Sequence, residues 1–197
     1  MVKLKGLIFF ILLILIGFIF YFISQDKEIE LKGTQVMDFI SISKIDFGSD
    51  FLFETVKNKK IEIDVEDKVF KIKGMENKTV FLKVFGWNCK YCKKEIPELI
   101  NLKNKLGDSF EVIAIEAQDY SDEASLKYIE EYGINYHIVS GRTHSDFYAY
   151  LQEKYGWTGI IPLTIVISKD GQVLAFELGA KSFSLAELMK AALVREQ

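Results

Sequence analysis

Gly86-Trp87-Asn88-Cys89-Lys90-Tyr91-Cys92-Lys93-Lys94-Glu95-Ile96-Pro97-Glu98-Leu99 is the stretch on which the reading of this chain turns. It carries both cysteines of the 197-residue sequence and one of its two prolines. Thr79-Val80-Phe81-Leu82-Lys83-Val84-Phe85, just before it, reads as a strand of buried type broken only by Lys83. Asn88 is a candidate N-cap for a helix running to about Leu106, with Gly107 just past its end. Cys89 then stands in the first turn of that helix. Unpaired N–H groups and the positive end of the helix dipole favour a thiolate there.

A thiolate is the attacking species in disulfide exchange, and Lys90, Lys93 and Lys94 add local positive charge. The two-residue spacer lets Cys92 reach back to Cys89. Cys89 is the expected attacker and Cys92 the more buried resolver. Two other readings compete. Half of a zinc site would need two more Cys or His ligands, and the only histidines are His137 and His144, set apart in sequence. Two inert core cysteines are the third possibility. A pair after a strand and at a helix start favours redox chemistry over both.

Downstream of the pair, Glu111-Val112-Ile113-Ala114-Ile115 reads as a strand, and Ser121 as the cap of a helix ending at Gly133. Ile134 to Val139 is short and apolar, and residues 145–155 read as a helix ending at Gly156. Leu163-Thr164-Ile165-Val166-Ile167 is a β-branched strand; Asp170-Gly171 is a hairpin signal, and Val173 to Leu178 is its returning partner. Ser184-Leu185-Ala186-Glu187 is a capping box opening a last amphipathic helix. The order is β-α-β-α-(β)-α-β-β-α, an α/β fold. Upstream, Phe51 to Val56, Ile61 to Val65 and Val69 to Ile72 read as short strands.

Leu7 to Ile23 is an unbroken apolar run without charge. Seventeen helical residues at about 1.5 Å each span roughly 25 Å, the short end for a membrane helix. No small-residue cleavage pattern follows, so an uncleaved anchor is expected rather than a cleaved signal. Lys3 and Lys5 precede the run, whereas charges of both signs follow it. The positive-inside rule then puts residues 1–6 in the cytoplasm and the rest outside, facing the periplasm or cell exterior, where disulfides persist. Residues 24–34 are a charged linker. Residues 35–197 form one domain, with a β extension over 35–78 and a core over 79–197. A net charge of -3 with mixed signs carries no nucleic-acid footprint.

Three separated motifs together resemble the thioredoxin superfamily, and within it the membrane-anchored TlpA/ResA-like thiol–disulfide oxidoreductases. They are Cys92-Lys93-Lys94-Glu95-Ile96-Pro97-Glu98-Leu99, Gly159-Ile160-Ile161-Pro162, and Ser168-Lys169-Asp170-Gly171-Gln172-Val173 followed by Leu178-Gly179-Ala180. The resemblance covers roughly residues 69–190 and implies a thioredoxin-like fold, a mixed central sheet flanked by helices. It implies that Pro162 is cis beside the cysteines, that the Ile161 backbone pairs with an extended substrate, and that Pro97 kinks the active-site helix. It implies that Glu95 tunes the thiols, so the catalytic set is Cys89, Cys92, Glu95 and Pro162. Trp87, Ile161 and Tyr91 are the expected substrate contacts, with core packing as the alternative for Trp87. No cofactor or metal is expected. Implied partners are protein disulfides, apocytochrome c among them, and a membrane thiol transporter of the CcdA or DsbD kind.

The chain also departs from that family. Asn88 replaces the usual aromatic before the first cysteine. Lys83 stands where many thioredoxins carry a buried acid, which raises the weight on Glu95. Lys90-Tyr91 replaces the common spacer, so the direction of electron flow stays open. A disulfide oxidase or isomerase, and a non-catalytic module of the same fold, are the competing functions.

Overall fold

A computed structural model describes residues 51–195. The expected anchor over 7–23, the linker and residues 35–50 of the β extension lie outside the described residues. Among the described residues no helix is long and apolar enough to cross a membrane.

Two sheets organise the domain. The smaller contains β1 (Phe51–Glu54), β2 (Lys60–Glu66) and β3 (Val69–Ile72), antiparallel in that order. In β2 the alternation of Ile61, Ile63 and Val65 with acidic residues buries one face and leaves the other wet, as a half-covered strand should. The larger sheet has the order β6-β5-β4-β7-β8. Its strands are β4 (Thr79–Phe85), β5 (Phe110–Glu116), β6 (His137–Ser140), β7 (Leu163–Ile167) and β8 (Val173–Leu178). Strand β4 is central, parallel to β5 and antiparallel to β7. Every residue of β4, β5 and β7 is buried, because both faces of the sheet are covered.

Among the described residues four helices do the covering: α1 (Lys90–Leu106), α2 (Asp122–Tyr132), α3 (Ser145–Tyr155) and α4 (Leu185–Arg195). The period-two geometry of β4 divides its side chains between two cores. Phe81 and Phe85 join Ile96 and Leu99 of α1 and Leu188 of α4. Val80, Leu82 and Val84 join Phe53 and Ile63 of the small sheet and Phe147 of α3. Lys83 lies between Phe81 and Phe85 in this alternation, so its side chain enters the α1 side.

Local signals end the elements as the sequence leads one to expect. Gly133 and Gly156 take left-handed conformations after α2 and α3. Ser184 and Glu187 exchange reciprocal hydrogen bonds at the start of α4. The Asp170-Gly171 turn joins β7 to β8 and also holds the small sheet: the Phe70 amide donates to the Gly171 carbonyl at 2.8 Å. At the opposite corner the Val56 amide donates to the Ile138 carbonyl at 3.0 Å.

Gly171 has φ +85°, and a Cβ there would collide with the Phe70 carbonyl oxygen. Neither strain can be relieved by rotating a side chain. We expect Gly171→Ala to lower unfolding stability by about 3 kcal/mol in urea denaturation. A loss under about 0.5 kcal/mol would show that this junction tolerates backbone movement.

Candidate active site

Strand β4 ends at Phe85, and the chain turns through Gly86, Trp87 and Asn88 into α1. The expected cap, Asn88, is not the cap. Its backbone amide is engaged by the Gln118 side-chain oxygen at 2.7 Å, and Cys89 takes the N-cap position instead. Cys89 is extended (φ -104°, ψ 112°), and its Sγ accepts the Cys92 amide hydrogen at 3.2 Å. A sulfur that accepts at a helix start can fill the capping role that a short polar side chain usually fills. The two cysteines are joined in a disulfide with Cα atoms 5.2 Å apart. Cys89 is half-buried, whereas Cys92 is 3% exposed within the core.

Pro162 stands at the same end of the sheet. The Ile161–Pro162 peptide is cis, and the next residue, Leu163, pairs with Val84 near the end of β4. Ile161 is half-buried and touches the same core cluster as both cysteines, while Ile160 is exposed. Tyr91 is exposed on the first turn of α1, with the Lys94 ammonium 5.6 Å from its ring centre. Pro97 lies within α1. Trp87 belongs to the core. It is 1% exposed, stacks on Tyr128 and donates from Nε1 to Ser125 Oγ at 3.0 Å, so it offers a substrate no surface.

Three charged side chains meet where α1 packs against β4. One Glu95 carboxylate oxygen accepts from the Lys83 ammonium at 2.8 Å, and the other from the Lys181 ammonium at 2.8 Å. The Lys83 side chain is 2% exposed, Glu95 10% and Lys181 4%. Lys83 also donates to the Thr164 hydroxyl of β7, its cross-strand partner. Burial pushes the Lys83 ammonium down to about 8; Glu95 opposes that change and Lys181 adds to it. Glu116 at the end of β5 is a second buried carboxylate, accepting from the Gln118 and Tyr120 amides at 2.9 and 3.0 Å. Burial raises its pKa while those amides lower it.

Sequence reasoning missed the pairing of Lys83 with Glu95. The need for a partner was legible, since one cation in an apolar strand demands an anion nearby, but nothing local singles out Glu95 as that anion. Lys181 carried no such signal, because it sits in an irregular segment before α4. Among the described residues no three His, Cys, Asp or Glu side chains gather as a metal site would need. His137 is half-buried beside the Lys59 ammonium, and His144 packs on the Phe53 ring.

The sequence pattern of the AhpC/TSA family matches residues 53–176. The chain belongs to the AhpC/TSA family. The match starts within β1, so the small sheet, expected as an extension, falls inside the family region. The chain is also similar to the thiol-disulfide oxidoreductase ResA of Bacillus anthracis. It is 30% identical over 120 residues, 60% of this chain and 65% of that protein. ResA of Bacillus subtilis is 26% identical over 146 residues, 74% of this chain and 73% of the relative. The fold is thioredoxin-like: a secreted thiol-disulfide isomerase of Corynebacterium glutamicum superposes with a TM-score of 0.57 at 21% identity. That superposition covers 74% of this chain and 82% of the isomerase.

The buried lysine has a consequence for stability. Its folded pKa, about 8, lies below the ordinary 10.5, so between these values the unfolded chain binds the extra proton. Stability therefore rises with pH through that window. We expect a gain of about 2 kcal/mol between about pH 7.5 and pH 9.5 in urea unfolding of the oxidised protein. Lys83→Met should lack that gain. Equal pH profiles for the two proteins would show that Lys83 keeps an ordinary pKa.

Proposed function

We propose that the chain is a thiol–disulfide oxidoreductase in which Cys89 attacks and Cys92 resolves. One observation carries the reading. Cys89 caps a helix with its sulfur and is half-exposed, while its disulfide partner, Cys92, is buried one turn on. The N-terminal amides that favour the Cys89 thiolate are the unpaired donors of α1. Lys90, Lys93 and Lys94 add charge of the same sense, and no acidic residue occupies the first turn. The names of the ResA relatives support the same chemistry.

The reaction consists of two exchanges. Cys89 thiolate attacks one sulfur of a substrate disulfide, forming a mixed disulfide and releasing the other substrate sulfur as thiolate. Cys92 thiolate then attacks Cys89 Sγ, releasing the second substrate sulfur and leaving the Cys89–Cys92 disulfide. The substrate gains two electrons and the enzyme loses two. A dithiol partner must return them, and a membrane thiol transporter of the CcdA or DsbD kind fits that need. The Ile161 backbone, next to Pro162 and beside the cysteines, is the edge offered to an extended substrate segment. Exposed Tyr91 flanks it.

The apolar run over Leu7–Ile23 supports attachment to the cell membrane, with the domain on the outer side. In that compartment exported proteins acquire disulfides, and a reductant acts on those that must be opened. Apocytochrome c is the substrate that the family resemblance suggests.

Replacement of the resolving cysteine tests the assignment of roles. We expect Cys92→Ala to accumulate covalent complexes with substrates, visible on non-reducing gels, and Cys89→Ala to accumulate none. The reverse pattern would exchange the two roles. No complex with either variant, together with no turnover of insulin disulfides by the unaltered chain, would overturn the function.

A further inference from the structure

Lys83, Glu95 and Lys181 form a buried cluster of one anion and two cations, and simple adhesion does not account for it. Withdrawing three charges from water is costly, and apolar side chains of similar volume commonly hold such elements together as well or better. Yet the cluster sits where three parts of the candidate site converge. Lys83 projects from β4, the strand that leads to the cysteines. Glu95 lies on α1, three residues beyond Cys92, and both are buried. On a helix that spacing puts the two side chains on one face, with Cβ atoms about 5–6 Å apart. Thr164, the hydroxyl that accepts from Lys83, lies two residues beyond Pro162.

The hydrogen-bond pattern specifies the cluster's charge. Each Glu95 oxygen faces its own ammonium at 2.8 Å, so the carboxylate form satisfies both donors. Two other titratable groups influence the cluster. The Glu98 carboxylate opposes the fall in the Lys83 pKa and accepts the Leu185 amide at 2.7 Å. The Tyr136 hydroxyl is kept protonated by burial and by Glu95. The two ammonium groups and the carboxylate between them are all largely withdrawn from water.

We propose that Lys83 and Lys181 are positioning residues that hold the Glu95 side chain on the Cys92 face of α1 and bring two ammonium groups to that face, where they favour the Cys92 thiolate in the resolving step. In that step the Cys92 thiol releases its proton to solvent. The thiolate attacks Cys89 Sγ, and the bond from Cys89 to the substrate sulfur breaks. The cluster exchanges no electrons and forms no covalent bond. It acts as a fixed field, worth most where water is excluded. Here the charge at the β4 position is of opposite sign to the acid found there in many thioredoxins, and Glu95 is the anion that accompanies it.

This inference rests on the exchange role of Cys92, but its test does not need turnover. Carbon-13 titrations of the Cys92 Cβ in the reduced, full-length chain in detergent micelles read the thiol pKa directly. We expect Lys83→Met to raise it by about one pH unit, roughly a tenfold loss of thiolate at a pH below the pKa. Lys181→Met, which removes the cation nearer the surface, should shift it the same way and serves if Lys83→Met fails to fold. The unaltered chain supplies a reciprocal test, because coupling between two sites runs both ways. The Lys83 Cε titration should move to higher pH in the reduced chain than in the oxidised chain. An unchanged Cys92 pKa in either folded variant, or the same Lys83 titration in both redox states, would overturn the proposal. Normal coupling in a chain without disulfide turnover would keep the electrostatic inference and discard the proposed function.

Discussion

A lysine ammonium enclosed in the central strand of a sheet must find an anion, and that requirement shapes this site. The penalty for burying an unpaired ion is several kcal/mol, so Lys83 makes sense only with Glu95 opposite it. Glu95 reaches Lys83 only if α1 lies across β4 with its Cys92 and Glu95 face inward. That placement buries Cys92 and leaves Cys89 at the helix start, half-exposed. Lys181 closes the other side of the carboxylate and draws the segment before α4 onto the same place. The interaction therefore ties three elements together.

The sheet brings the chemistry to one end. Strand β4 leads into the cysteines, and antiparallel β7 begins directly after Pro162, so the register of Val84 with Leu163 sets the two loops side by side. The Gln118 side chain, following β5, takes up the Asn88 amide, and the Glu116 carboxylate anchors the two amides around it. The loop before α1 is thus held from the side by the β5 turn.

Much of this was legible in the sequence. Helix α1 and its end at Gly107, the hairpin at Asp170-Gly171 and the capping box at Ser184 depend on neighbours in sequence, and local chemistry specifies them. The cysteine spacing and the buried character of β4 were equally local. What could not be read was long-range. The Lys83–Glu95 contact spans 12 residues and the Lys181–Glu95 contact 86, and no periodicity encodes either. Asn88 looked like a cap because its side chain suits one; in the structure Gln118 holds the Asn88 amide and the Cys89 sulfur takes the capping position. Trp87 looked available to a substrate until its packing on Tyr128 and its bond to Ser125 were seen.

The central claim is that Cys89 and Cys92 form a reversible two-electron couple in a folded protein. Equilibrating the full-length chain with mixtures of reduced and oxidised dithiothreitol, and scoring the cysteines by alkylation, measures it. The account predicts one transition with a two-electron slope, about 30 mV for each tenfold change in the ratio, closer to -270 mV than to -120 mV. Cysteines that stay unchanged across the series, or that react only after unfolding, would contradict it.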